Sequence, residues 1–96
     1  MANEARTIAL GGTDEVLRPA QTVYCGLSVR ETGGSASATL RLFDNASAAS
    51  GTLLETISLA AGESRAEFYE RGIWAVNGIY ADYGGSGTIE GSVRVG

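Results

Sequence analysis

Residues Ala36–Phe68 read ASATLRLFDNASAASGTLLETISLAAGESRAEF. Two runs within it, Ala38–Phe43 and Leu53–Leu59, alternate apolar and polar side chains. Successive side chains of a strand point to opposite faces, so alternation of this kind marks half-buried strands. The segment between them, DNASAASG at 44–51, is made of turn-forming and small residues. Asp44 and Asn45 can bond their own downstream backbone in an Asx-turn. Ala60-Ala61-Gly62 then turns the chain into a third run, Glu63–Tyr69. Three consecutive strands with short connections predict a β-meander. Its inward side is expected to hold Ala38, Leu40, Leu42, Ile57, Leu59 and Phe68, with Leu53 and Glu55 in phase with Ile57. Phe43 falls on the polar face, either as a surface anchor or as the sign of a bulge.

Working outward, Gln21–Glu31 also alternates. Val23, Cys25, Leu27 and Val29 share one face, expected to be the core face. Tyr24, Gly26, Ser28 and Arg30 share the other. Thr32-Gly33-Gly34-Ser35 is a turn. After Glu70-Arg71-Gly72, read as another turn, Ile73–Val76 and Ile79–Tyr83 flank Asn77-Gly78. Asn-Gly is the strongest short hairpin signal, because a type I′ turn needs positive φ at both positions. Thr88–Val95 closes the chain with Ile89, Val93 and Val95 inward. Gly91 on that inward face implies a bulge or the close approach of a large neighbour such as Trp74.

Residues 1–20 are less regular. Arg6–Leu10 reads as a short strand, broken by Gly11-Gly12. Glu15–Arg18 runs into Pro19, the only proline. Proline has no N–H to give a ladder, so this segment is an edge strand or an extended arm. A single helical turn over Thr13–Arg18, capped by Thr13, is the alternative. The predicted fold is therefore all-β: a small antiparallel β-sandwich, jelly-roll-like, of seven to eight short strands. Residues 1–20 would form an extended N-terminal arm or edge strand, and 21–96 the β-sandwich domain.

Composition narrows the function. A chain of 96 residues is one domain. It carries 7 Arg, no Lys, no His and 11 acidic residues. The arginines are dispersed and the net charge is −4, which disfavours nucleic acid and anionic membrane surfaces alike. Without His or Lys the commonest general base, the commonest transition-metal ligand and Schiff-base chemistry are all missing. Cys25 is the only cysteine, so it forms no internal disulfide. It reads as a small core residue. An intermolecular bridge would require it to be exposed near a symmetry axis. The start, Met1-Ala2-Asn3-Glu4, has neither a basic region nor an apolar core of a signal peptide, and no apolar run approaches a membrane span. The chain is expected to be made in a cytoplasm.

No residue set reports a reaction. Asp14/Glu15, Glu67/Glu70 and Asp82 are the candidate acid–base pairs, yet glycoside chemistry needs two facing carboxylates in a cleft. Asp44-Asn45 supplies too few oxygens for calcium. The Gly-Gly pairs at 11–12, 33–34 and 84–85 lack the P-loop spacing and serve as turns. No catalytic residue, metal or cofactor is expected. Small, weakly charged surfaces with Tyr24, Phe43, Tyr69 and Tyr80 on a second face suit burial against another protein.

The segment RLFDNASAASGTLLETISLAAGES, followed by GIWAVNGIYAD, resembles a small β-protein type of tailed-bacteriophage structural gene clusters. Such proteins are similar to capsid decoration (cement) proteins, and the likeness spans about 23–95. The resemblance implies a non-enzymatic virion structural protein on the capsid exterior, made in the host cytoplasm. Its partners would be the major capsid protein and copies of itself, as a homotrimer. It carries over no catalytic residue. An arm near Ile8 and Val16 would add to a neighbour's edge strand, and Tyr24, Phe43, Tyr69 and Tyr80 would line the subunit interface. Two alternatives are a host-surface or glycan-binding module of a tail or head fibre, and a small tail or connector subunit.

Overall fold

The computed structural model describes residues 6–96. Eight strands follow in chain order: β1 (Arg6–Ala9), β2 (Glu15–Arg18), β3 (Thr22–Glu31), β4 (Ala38–Asp44), β5 (Thr52–Leu59), β6 (Ser64–Ala75), β7 (Ile79–Gly85) and β8 (Ile89–Val95). They form two four-stranded sheets, β1-β8-β3-β6 and β2-β7-β4-β5, antiparallel throughout. Pairing β1 with β8, β2 with β7, β3 with β6 and β4 with β5 is the pattern of one long hairpin rolled into two layers. This is a jelly roll, and the fold class read from the sequence holds.

The rolled hairpin replaces the meander. β4 and β5 pair as neighbours, with Asp44–Gly51 as the tip of the roll, but β6 leaves them for the other sheet. Asn45 makes the anticipated Asx-turn: its Oδ1 accepts the N–H groups of Ser47 and Ala48 at 2.8 and 2.9 Å. Asn77-Gly78 is not a type I′ hairpin turn. Only Gly78 has positive φ, and the connection carries the chain from one sheet to the other. Asp44 supplies what the missing hairpin ladder would, accepting from the N–H groups of Val76 and Asn77. The segment 6–18 takes the edge-strand alternative: β1 and β2 are the edges of different sheets of their own molecule, and no helix forms at 13–18. Residues 1–5 of the anticipated arm lie outside the described residues.

Bulges interrupt four of the strands; on β2, Val16 pairs with Tyr80 and Arg18 with Ile79, so Leu17 is the inserted residue. On β3, Tyr24 pairs with Val95 and Gly26 with Arg94, so Cys25 is the inserted residue. Upstream of that point the phase inverts: Tyr24 is buried in the core and Val23 lies outside it, the opposite of the simple alternation. On β6 the same point opposes four residues, Tyr69–Gly72, because Tyr24 pairs with Ile73 and Gly26 with Phe68. The segment Glu70-Arg71-Gly72 is thus a bulge inside one 12-residue strand and not a turn between two. Phe68 faces outward at 65% exposure, which corrects its expected place in the core. Its side of β6 is the outer one, while Arg65, Glu67 and Tyr69 are half-buried. On β5, Leu42 pairs with Glu55 and Phe43 with Leu53, so Leu54 is inserted and Leu53 swings outward. Cys25 is half-buried, not a core residue. Gly91, at φ 143°, is needed because a Cβ there would strike the backbone oxygen of Ser28 on β3; Trp74 is not the neighbour that demands it.

The core is continuous between the sheets. Tyr24, Leu27, Val29, Val93 and Val95 of the first sheet meet Leu40, Leu42, Ile57, Leu59, Ile79 and Ala81 of the second. One end of the roll is closed by Glu31, whose side chain is fully enclosed. Its carboxylate accepts four backbone N–H groups: Gly33 and Gly34 from the β3–β4 loop, Gly62 from β5–β6 and Thr88 from β7–β8, all at 2.8–2.9 Å. The bond from Gly62, then those from Thr88 and Gly34, hold its pKa down to about 2 from an ordinary 4.5.

Because the folded value is depressed, the stability this group contributes is complete above about pH 4.5 and drains away as the pH falls toward 2. Acid denaturation followed by circular dichroism should therefore show a limb in that window that flattens in Glu31→Gln. Glu31→Ala should lower the melting temperature further than Asp44→Ala, which removes two N–H partners instead of four. Equal melting temperatures for the two variants would show that the three loops close without Glu31.

Candidate partner-binding faces

The outer face of the second sheet carries an apolar row across all four strands. Register places Leu53 of β5 beside Phe43 of β4, Phe43 beside Tyr80 of β7, and Tyr80 beside Val16 of β2. Directly opposed residues in an antiparallel pair share a face, and the neighbours Leu17, Leu42, Ile79 and Ala81 all point into the core. Val16 is 43% and Leu53 47% exposed, whereas Phe43 is 6% exposed and outside the core cluster. The Arg41 guanidinium lies over the Phe43 ring, 5.2 Å from its centre, and its Nε donates to Asp82 Oδ2 at 2.9 Å. Phe43 is thus the floor of the row, and Val16 and Leu53 are its accessible ends. Three of the anticipated contact residues, Val16, Phe43 and Tyr80, come together here. Leu53 was missed, although the adjacent pair Leu53-Leu54 in an alternating run is the signal of a phase slip.

Tyr24 and Tyr69 do not belong to this surface. The inverted phase of β3 buries Tyr24 completely, and Tyr69 is half-buried against the core. Both hydroxyls donate to Glu55 Oε1, Tyr24 at 3.1 Å and Tyr69 at 2.7 Å, and the two rings sit 5.9 Å apart in a tilted pair. Glu55 faces inward with Ile57 because the insertion at Leu54 lies just before it. This trio ties the two sheets together where β5 passes β6. Burial raises the Tyr24 phenol, reinforced by the Glu55 charge. The hydrogen bond to Glu55, with burial second, pushes Tyr69 up to about 12. The four aromatics expected to form one interface therefore divide: Tyr24 and Tyr69 work inside, and Phe43 and Tyr80 outside. Ile8 pairs with Val93 on edge strand β1 and packs partly against the core, so its side chain points inward and only its strand edge is open.

The outer face of the first sheet is the second exposed surface. On β6, Phe68 and Trp74 are 65% and 58% exposed. Trp74 stands beside Val23 and Phe68 beside Gly26. Ala66, Ser28 and Ser92 form a row of small residues across β6, β3 and β8, and Ala9 of β1 extends it. The sequence reading missed this face because the bulge in β6 looks like a turn.

Of the acidic residues singled out as possible acid–base pairs, Asp14 and Glu15 hold backbone instead. Asp14 Oδ1 accepts the N–H of Tyr83, and Glu15 Oε2 accepts both the Tyr83 hydroxyl and the N–H of Gly11. Asp82 is engaged by Arg41. Among the described residues no group of three potential metal ligands converges. No helix among them is long and apolar enough to cross a membrane. Compared with known proteins, the chain matches no family model, no curated protein and no solved structure.

Tyr69→Phe should cost about 2 kcal/mol at neutral pH, the usual net worth of a hydrogen bond to a charged group, read by urea denaturation. The folded pKa values of Tyr24 and Tyr69 are raised, so the stability they contribute is complete below about pH 10 and falls as the pH rises above it. The double change Tyr24→Phe plus Tyr69→Phe should flatten that alkaline limb. An unchanged limb would mean that neither phenol senses Glu55.

Proposed function

We propose that this chain is a bacteriophage virion structural protein, a capsid decoration protein that binds and stabilises the outside of the major capsid shell. The observation that carries the reading is the Leu53–Phe43–Tyr80–Val16 row, an apolar strip with a polar border on a rigid sheet. Such a strip suits a flat protein partner, because its side chains are held by the sheet and lose little freedom on docking. Arg41, which lies over the Phe43 ring at the centre of the row, is paired with Asp82, so the contact joins the apolar ends Val16 and Leu53 across a neutralised guanidinium. Jelly rolls occur in viral capsid proteins and in lectins, which makes the fold compatible with this role without deciding it. The likeness of the β4–β7 sequence to phage structural proteins supplies the rest. Copies of the chain associate with one another as well, and the resemblance implies three per assembly.

A glycan-binding module of a fibre is the second reading, favoured by the exposure of Phe68 and Trp74, since sugar rings stack on open aromatic faces.

The test is co-sedimentation of the purified chain with expanded, undecorated capsids assembled from a tailed-phage major capsid protein. Saturable binding and a raised capsid melting temperature are expected. Val16→Asp and Leu53→Asp, both at exposed positions, should weaken binding at least tenfold while changing the stability of the free chain by no more than about 0.5 kcal/mol. Absence of wild-type binding would overturn the reading, and binding to a glycan surface that is lost in Trp74→Ala would then put the second in its place.

A further inference from the structure

We infer that the outer face of the first sheet holds a site for an acidic polysaccharide, one whose sugar rings carry carboxylates. The site is a shallow trough across three strands. Register sets Phe68 of β6 and Arg94 of β8 on either side of Gly26 of β3. The two outer strands lie about 10 Å apart, twice the usual strand spacing. Gly26 has no side chain, so the space between the exposed ring and the guanidinium is open. The glycine is fixed by its backbone: at φ 130° a Cβ would strike the carbonyl oxygen of Glu67. The floor continues into Ser28 and Ser92, the next outward pair along β3 and β8. Their hydroxyls both donate and accept, as the hydroxyls of a sugar do.

The charge of the occupant follows from Arg94. Its side chain is half-buried and has no ion-pair partner among the described residues. Outside the β6 bulge, the other outward charges on the described strands of this sheet are Arg30 and Glu90, which stand in register and offset each other. The face therefore carries one unmatched positive charge on a chain whose net charge is −4. A guanidinium binds a carboxylate through two parallel hydrogen bonds, a match of shape as well as of charge. A single unmatched cation is too little for a phosphate backbone, which needs a cluster of them.

The rest of the site is aromatic. Phe68 and Trp74 pair with Gly26 and Val23, two register steps apart on β3, or about 7 Å along the strand. The C–H face of a sugar ring stacks on the electron-rich face of an aromatic ring. Two platforms in line along β6 can take two rings of one polymer, and the linkage raises the affinity above that of either contact alone. A peptide strand finds less here. The four-residue bulge interrupts the free edge of β6, so an added strand has no continuous ladder to join.

This assignment rests on the glycan-binding reading, applied to this face alone. The Leu53–Phe43–Tyr80–Val16 row lies on the other sheet, so capsid docking and glycan binding do not exclude each other. Isothermal titration of the purified chain with polygalacturonate, alginate and polysialic acid should show saturable binding to at least one of them. Esterifying the carboxyls of that polymer should weaken binding about tenfold or more, the usual worth of a hydrogen bond between charged groups, and so should Arg94→Gln. Arg94→Lys, which keeps the charge and loses the fork, should fall between. Phe68→Ala and Trp74→Ala should each weaken binding to a similar degree, with melting temperatures close to that of the wild type because both rings are exposed. The esterified polymer is tested on the wild-type chain, so the outcome does not depend on any variant folding. Equal binding of polyglutamate would overturn the assignment in favour of an acidic peptide. Binding of neutral dextran that Trp74→Ala abolishes and Arg94→Gln leaves unchanged would overturn the acidic assignment and keep the glycan reading. Absence of binding to every one of these polysaccharides would remove both.

Discussion

Everything at one end of this jelly roll depends on a single carboxylate. Glu31 ends β3, and its four N–H partners come from the loops β3–β4, β5–β6 and β7–β8. Each of those loops carries the chain from one sheet to the other. A negative charge enclosed without a cation would ordinarily be costly. Here the oriented amides replace water, as they do in an anion-binding nest. The arrangement also explains two glycines. A Cβ on Gly33 or on Gly87 would come within 2.9 Å of Glu31 Oε2, so only residues without a side chain let the loops close this tightly. At the opposite end Asp44 does a smaller version of the same work for the β6–β7 crossing. A chain with no lysine and one close ion pair among its described residues thus holds its crossings by carboxylate-to-amide bonds.

The elements were legible because alternation is a local property. The runs around Leu40, Ile57, Leu27 and Val93 each announce their strand without reference to the rest of the chain. Sheet partners are not local. Nothing in GTLLETISLAAGES says that β5 and β6, joined by a tight turn, belong to different layers. The meander and the rolled hairpin have the same strands and nearly the same turns, and differ only in which edges meet. Asn77-Gly78 shows the same limit. Its hairpin propensity is real, but a crossing between layers uses the glycine alone and lets Asp44 satisfy the free N–H groups.

The candidate site was half legible, and the missing half lies at the bulges. A single inserted residue flips every side chain on one side of it. Cys25 does this to β3 and moves Tyr24 from the surface to the centre of the core. Leu54 does it to β5: Leu53 swings outward, while Glu55 keeps the phase of Ile57. The insertion at Cys25 therefore brings Tyr24 to Glu55 and Tyr69, and the one at Leu54 extends the exposed row to the edge of the second sheet. Phe43 and Tyr80 were found because no insertion in their own strands separates them from the core residues that set their phase; Val16 was named for its edge strand, and the bulge at Leu17 follows it directly. Trp74 was lost because four inserted residues containing Glu, Arg and Gly look like the end of a strand, and Phe68 because alternation alone does not say which side of β6 faces the core.

Two outward faces on opposite layers have a geometric consequence. The Leu53–Phe43–Tyr80–Val16 row and the Phe68–Trp74 face point in opposite directions, and they share no residue and no strand. The sandwich keeps them about 10 Å of core apart, in a body stiffened at one end by Glu31 and at the other by Asp44. A small domain can present two independent surfaces only if its layers do not shear past each other, and the amide-bound carboxylates at the crossings are what resist that motion.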